Sequence, residues 1–127
     1  MPELEKIDHI HVYVPNRLDA EHWYQEVLGF TRIESLASWF TDGGPLAIEN
    51  GGVHIALFEG QSVVTTTVAF SVDAANYLAW KVNLDSHGIN YKESDHDLSW
   101  SIYFKDPYDH PYEITSYDYQ DIRKALQ

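Results

Sequence analysis

His9 opens the alternating segment Ile10-His11-Val12-Tyr13-Val14, and His54 sits near the start of a second, Val53-His54-Ile55-Ala56-Leu57-Phe58. Thr67 precedes Val68-Ala69-Phe70-Ser71-Val72, and Glu113 stands early in Pro111-Tyr112-Glu113-Ile114-Thr115. Side chains alternate across a strand, so each segment has one purely apolar face. Its other face carries small, aromatic and ionisable groups. If those second faces line one concavity, His9, His54, Thr67 and Glu113 converge there. Two neutral imidazoles and one carboxylate suit a divalent transition metal, as borderline nitrogen donors beside one hard anionic oxygen. Such a set leaves positions open for substrate or water. A carboxylate at the bottom of an apolar cup is costly unless paired, and the sequence places no basic residue to pair with Glu113, whereas a cation resolves the charge. His11 shares a strand face with His9, and two histidines at that spacing can both reach one metal; its expected role is to line the cup. His22, His87 and His110 read as helix-surface, cap and turn residues.

Helices must carry these strands. Residues 19–28, closed by Gly29, and 74–87, closed by Gly88, read as two helices, because glycine supplies the left-handed cap after a helix. Their expected core stripes are Ala20, Trp23, Val27 and Tyr77, Trp80, Leu84. Turn signals follow each: Asp42-Gly43-Gly44-Pro45 and Asn50-Gly51-Gly52 in the first half, Ser94-Asp95-His96-Asp97 and Asp106-Pro107-Tyr108-Asp109 in the second. Ile10 matches Val68 at an offset of 58, Gly29 matches Gly88 at 59, and His54 matches Glu113 at 59. The chain therefore reads twice. The expectation is an α+β fold of two tandem βαβββ modules, 5–60 and 63–118, with a tail helix over 119–126, all in a single domain of 1–127.

The composition bounds the partners. Lys and Arg number 8 and Asp and Glu 20, for a net charge of −12, or −5 with all seven histidines protonated. Phosphate backbones and anionic membranes are repelled by such a chain, and a cationic ligand is favoured. No nucleic-acid partner and no membrane partner is expected. There is no apolar run of membrane-spanning length and the first residues lack the marks of a signal peptide, so the expected location is cytoplasmic. With no cysteine, disulfides, thiolate catalysis and zinc–thiolate sites are excluded.

The segments Asp8-His9-Ile10-His11-Val12-Tyr13-Val14-Pro15, Val27-Leu28-Gly29-Phe30, Gly51-Gly52-Val53-His54-Ile55-Ala56-Leu57-Phe58 and Tyr103-Phe104-Lys105-Asp106-Pro107 running to Tyr112-Glu113-Ile114 resemble the vicinal oxygen chelate superfamily of glyoxalases, bleomycin-resistance proteins and extradiol dioxygenases. The resemblance covers nearly the whole chain. It implies paired βαβββ modules forming a curved mixed sheet around a cup, within one chain or shared across a homodimer. It also implies a metal held by the first and last strands of each module, here His9, His54 and Glu113. Thr67 stands where many metal-dependent members place a histidine, and His54 where glyoxalases usually have a glutamate. The family's Asp-Pro-x-Gly turn reads Asp106-Pro107-Tyr108-Asp109, and Asp tolerates positive φ well enough to keep it. Tyr103 lies ten residues before Glu113, the spacing of an active-site tyrosine in extradiol dioxygenases, and His96 lies where those enzymes carry a histidine. A phenol and an imidazole beside a metal can serve as acid and base.

Trp39, Phe40, Phe58 and Trp100 are candidates for a substrate wall, with His11 and Thr67 lining the floor. The functional expectation is a metal-dependent enzyme (lyase, isomerase or oxygenase) in which Fe, Mn, Co, Ni or Zn chelates vicinal oxygens of a small-molecule substrate. The alternative is a non-catalytic protein of the bleomycin-resistance kind that sequesters a cationic or aromatic compound in an acidic cleft. Glutathione-dependent chemistry is disfavoured, since Arg17 and Arg32 are the only arginines of the first module.

Overall fold

Asn16 sets the first strand–helix junction. In the computed structural model, which describes residues 1, 3–4, 6–61 and 66–127, its backbone is extended and its side chain accepts from the Asp19 N–H at 3.0 Å. This cap starts α1 (Arg17–Leu28) directly after β1 (Ile10–Val14). Gly29 ends the helix at φ 71°, where a side chain would be strained. The chain continues through β2 (Thr31–Arg32), a 3-10 turn (Glu34–Leu36), α2 (Ala37–Thr41), β3 (Leu46–Asn50) and β4 (Val53–Glu59). The sheet order is β1-β4-β3-β2, with β1 parallel to β4 and the other pairs antiparallel. The Gly51-Gly52 turn joins β3 to β4, so Asn50 pairs with Val53 and Glu49 with His54.

The second unit repeats this plan. The division falls between Met1–Val63 and Val64–Gln127; the start of the expected second module, residues 63–65, lies outside the described residues. β5 (Val68–Ser71) leads through Asp73, whose carboxylate accepts from the Asn76 N–H at 2.9 Å, into α3 (Ala74–Ser86). Then come β6 (Lys92–Asp95), β7 (Trp100–Lys105), β8 (Pro111–Ser116) and α4 (Tyr119–Ala125), in sheet order β5-β8-β7-β6. The protein is thus α+β, two βαβββ units in tandem. Among the described residues no helix is long and apolar enough to cross a membrane.

Each core lies between a helix and one sheet face. In the first unit Val12, Val14, Ile55 and Leu57 are buried toward α1, joined by Ala20, Tyr24, Val27 and Leu28 from the helix. The expected stripe is corrected at one position: Tyr24, not Trp23, is fully buried. Tyr24 lies four residues from Ala20 and meets Phe30 edge-on at 5.8 Å, whereas Trp23 sits on the helix flank, half-buried. Between β2 and β3, residues 34–41 form the 3-10 turn and α2, a helical element that the βαβββ plan did not include. Phe40 there lies under Arg17 (4.4 Å to the ring centre) and Arg32 (5.2 Å), so cation–π contacts hold the connection down.

In the second unit Tyr77 and Leu84 are buried, with Trp80 half-buried. The Tyr77 hydroxyl donates to Glu93 Oε2 at 2.8 Å, and Lys81 Nζ donates to Oε1 at 3.1 Å. Burial first, and then the Glu93 carboxylate, push the Tyr77 phenol far above its ordinary value of 10.0. The unfolded phenol therefore ionises above about pH 10 while the folded one keeps its proton, so stability falls as pH rises through that range. Tyr77→Phe is expected to cost about 1.5–3 kcal/mol at neutral pH, as for a hydrogen bond to a charged group, and to lessen the alkaline loss. Denaturant melts at pH 7 and pH 10.5 check both.

Candidate metal centre

The open face of the first sheet carries the histidines. β1 and β4 align Ile10 with Ile55, His11 with Ala56 and Tyr13 with Phe58. His9, one residue before Ile10, is therefore level with His54, which is itself paired with Glu49. The apolar partners on the other face are buried, while His9, His11 and Tyr13 are exposed and His54 and Phe58 are half-buried.

Two contacts hold the His9 ring. Nδ1 lies 2.8 Å from Asp8 Oδ2, and Nε2 lies 3.0 Å from Nε2 of His11. The hydrogen bond from His9 is the main reason the Asp8 carboxyl sits below its ordinary range, with the charges of His9, Lys6 and His54 adding to it. Asp8 thus contributes stability above the usual Asp range that is lost as pH falls through its lowered value. Across the strand, the His11 ring packs on Phe58 at 4.6 Å, and Phe58 stacks on Tyr13 at 5.4 Å. His54 Nε2 is 3.1 Å from Glu49 Oε2.

The open face of the second sheet carries the carboxylate. β7 and β8 pair Tyr103 with Glu113 and Ser101 with Thr115. Ser101, fully buried, donates through Oγ to Glu113 Oε2 at 2.7 Å. Tyr103 Oη is 2.9 Å from His96 Nε2. Cross-strand partners of this kind hold their Cβ atoms about 4.5–5.5 Å apart, so a phenol–imidazole pair stands directly beside the Glu113 side chain.

Other expected site residues fall elsewhere. Trp100 is opposite Ser116, on the sheet face away from Glu113, and stacks on Tyr119 at 5.8 Å. Tyr119 in turn donates to Asp95 at 2.8 Å. Trp100 therefore does not share the face that bears Glu113, because its even position in β7 turns it toward α4. Trp39 lies on α2, 52% exposed. Thr67 is exposed and precedes β5, whose Ala69, not Thr67, pairs with Glu113. His9 is level with His54, but Glu113 is level with Ala69, two residues beyond Thr67, so the Thr67 match to His9 in sequence is not a match in register.

Three partners were not anticipated: Asp8 for His9, Glu49 for His54 and Ser101 for Glu113. Asp8 and His9 precede β1, so strand alternation, which would put neighbours on opposite faces, does not govern them. The Glu49–His54 pair was readable, since a two-residue Gly-Gly turn after Asn50 sets that register.

Two βαβββ units, the first with histidines and the second with a carboxylate on its open sheet face, define the class of protein. The sequence signature of the Glyoxalase/Bleomycin resistance protein/Dioxygenase superfamily matches residues 6–114, and the chain belongs to that superfamily. Among solved structures it is similar to a protein assigned to the glyoxalase family from Bacillus anthracis, with a TM-score of 0.74, 21% identity and coverage of 92% of this chain and 98% of the other. It is also similar to lactoylglutathione lyase from Agrobacterium tumefaciens, with a TM-score of 0.74 and 19% identity over 91% of this chain and 96% of that one. A third is a point mutant of the fosfomycin-resistance protein FosX from Listeria monocytogenes, complexed with Mn(II) and a dihydroxypropylphosphonic acid, with a TM-score of 0.73 and 20% identity over 90% and 93%. No curated protein matches the chain in sequence.

Within either unit, no group of three or more His, Asp or Glu side chains among the described residues is placed to hold a metal ion. The donor chemistry present nevertheless fits one. A metal-ligating histidine typically gives its second ring N–H to a carboxylate, and His9 has that arrangement with Asp8. The tautomer it implies carries the proton on Nδ1 and leaves Nε2 as an acceptor facing His11.

Proposed function

We propose that the chain is a metal-dependent enzyme acting on a small molecule, with His9, His54 and Glu113 as candidate protein donors. The observation that carries this reading is the Asp8–His9 pair, which holds one imidazole by its Nδ1 on an exposed sheet face, with Nε2 beside His11. A divalent cation bound there would supply Lewis acidity, stabilising negative charge on vicinal oxygens of a substrate. The chain's own groups do the rest. Ser101 Oγ–H occupies Glu113 Oε2 and leaves the second carboxylate oxygen available. Tyr103 and His96 hold one proton between Oη and Nε2, and Tyr103 presents it beside Glu113. Phe58, Tyr13 and His11 form an aromatic patch that excludes water and packs on an apolar part of the substrate. The Mn(II) of the similar FosX structure supports a divalent cation.

The arginines argue against a substrate bearing glutathione's carboxylates. Arg32 makes two 2.7 Å bonds to Glu21, and Arg17 pairs with Glu59 at 3.3 Å while bonding the Gly44 carbonyl. Both are committed to structural acceptors.

Elemental analysis of tag-free protein tests the reading, with wild type beside His9→Ala and Glu113→Ala. The expected result is about one metal ion per chain in wild type, lost in both variants. Absence of metal in wild type after incubation with Mn, Fe, Co, Ni or Zn salts would sink it, and the screen would turn to cationic aromatic ligands.

A further inference from the structure

We propose that His9 and His11 together form a two-nitrogen chelate on β1, so that His11 is a metal ligand beyond the set the superfamily resemblance implies. The proposal rests on the metal-dependent reading above. Two imidazole nitrogens bound to one cation at about 2.0–2.1 Å, at angles of about 90–110°, stand about 2.8–3.4 Å apart. The two Nε2 atoms here are separated by 3.0 Å. The ring centres lie 5.0 Å apart with planes at 22°, so the rings meet edge to edge through these nitrogens and not face to face. The two Nε2 atoms therefore face one another across a single gap.

Each ring has its own independent support. Asp8 holds His9 by its far nitrogen, and Phe58 packs against the His11 ring at 4.6 Å. Neither support uses Nε2, so the two donor atoms are positioned without needing one another. Without a cation, His9 carries its proton on Nδ1, and His11 must supply the N–H that bridges the nitrogens. With a cation, the His11 proton moves to Nδ1 of the same ring and no net proton is released. Strand geometry explains why the pair exists: residues two apart on β1 share a face. A chain of net charge −12 adds a long-range field that favours a cation there. His54, level with His9 on the neighbouring strand, meets Glu49 through its Nε2.

Co(II) titration of the full-length protein is the test, followed by visible d–d absorption and by competition with a chelator of known affinity. Variants are His9→Gln, His11→Gln, Asp8→Asn and Glu113→Gln, each checked for an unchanged circular dichroism spectrum. His9→Gln and His11→Gln are each expected to weaken Co(II) by more than about 100-fold. Asp8→Asn should weaken it about 10- to 100-fold, as for loss of a carboxylate that orients a ligand. A second measurement needs no variant: long-range 1H–15N spectra of wild type with Zn(II) should show the His11 proton on Nδ1. Binding in His11→Gln within about twofold of wild type, or a His11 ring still protonated at Nε2 with Zn(II) bound, overturns the chelate and leaves the metal-dependent reading standing. Binding lost in His9→Gln and His11→Gln but unchanged in Glu113→Gln supports the chelate and removes Glu113 from the donor set. No Co(II) bound by wild type overturns both.

Discussion

Leu57→Ala is expected to destabilise the protein by about 2–5 kcal/mol, the range for truncating a fully buried leucine. Leu57 is 0% exposed in β4, the strand flanked on both sides by hydrogen-bonded neighbours. Its register partners are Val12 on β1 and Leu46 on β3, both buried toward α1. Little surrounds the site that can collapse into the space, because the sheet holds the backbone on both flanks and α1 covers the face. Both the lost transfer free energy and the residual cavity therefore count. His54 and Phe58 project from the opposite face of the same strand, so a loosened β4 is also expected to weaken metal binding. Urea unfolding gives the measurement, with an unchanged slope required before the midpoint shift is read as stability. A loss below about 1 kcal/mol would show that the first core tolerates the cavity and would contradict the packing described here.

Asp106→Ala is expected to cost about 3–5 kcal/mol, as for removing one member of a buried hydrogen-bonded pair. Asp106 is 5% exposed, and its carboxylate organises the whole β7–β8 turn. Oδ1 accepts from the Tyr108 and His110 backbone N–H groups, both at 2.9 Å, and Oδ2 lies 2.6 Å from His110 Nδ1. Those contacts hold Asp109 at φ 69°, where most side chains are strained. Alanine leaves two backbone donors and one imidazole nitrogen without this acceptor. Asp106→Asn keeps an acceptor for the backbone groups and should lose roughly half as much. Because β7 and β8 bring Tyr103 opposite Glu113, the alanine variant should also speed amide exchange along both strands. Equal stability of the alanine and asparagine variants would refute the role given to the backbone contacts.

The turn at Asp106 shows what was legible in advance. An Asp-Pro-x-Asp sequence can keep a turn that elsewhere uses glycine, since Asp tolerates positive φ, and Asp109 does adopt it. The two helices and their glycine caps were legible for a similar reason: capping and periodicity act over four or five residues. Strand alternation told correctly which of Ile10 to Val14 turn inward. The stripe of α1 was misplaced by one residue because Trp23 and Tyr24 are both large aromatics, and the sheet beneath decides which of them it accepts. α2 escaped notice because a five-residue helix has too little periodicity to stand out from a loop.

Local chemistry written in the chain thus determined the α+β class, the doubled βαβββ plan and the candidate donors His9, His54 and Glu113. Tertiary structure alone decided which partner each donor meets. Pairings such as Ser101 with Glu113 depend on strand register across a hairpin, and a one-residue shift there exchanges every neighbour. A two-residue difference in register separates Thr67 from the place its sequence match to His9 assigned it, and the parity of β7 turns Trp100 to the helix side. The edge-to-edge meeting of His9 and His11 depends on ring orientation, which is set by Asp8 and Phe58 and is invisible to any count of residues along the strand.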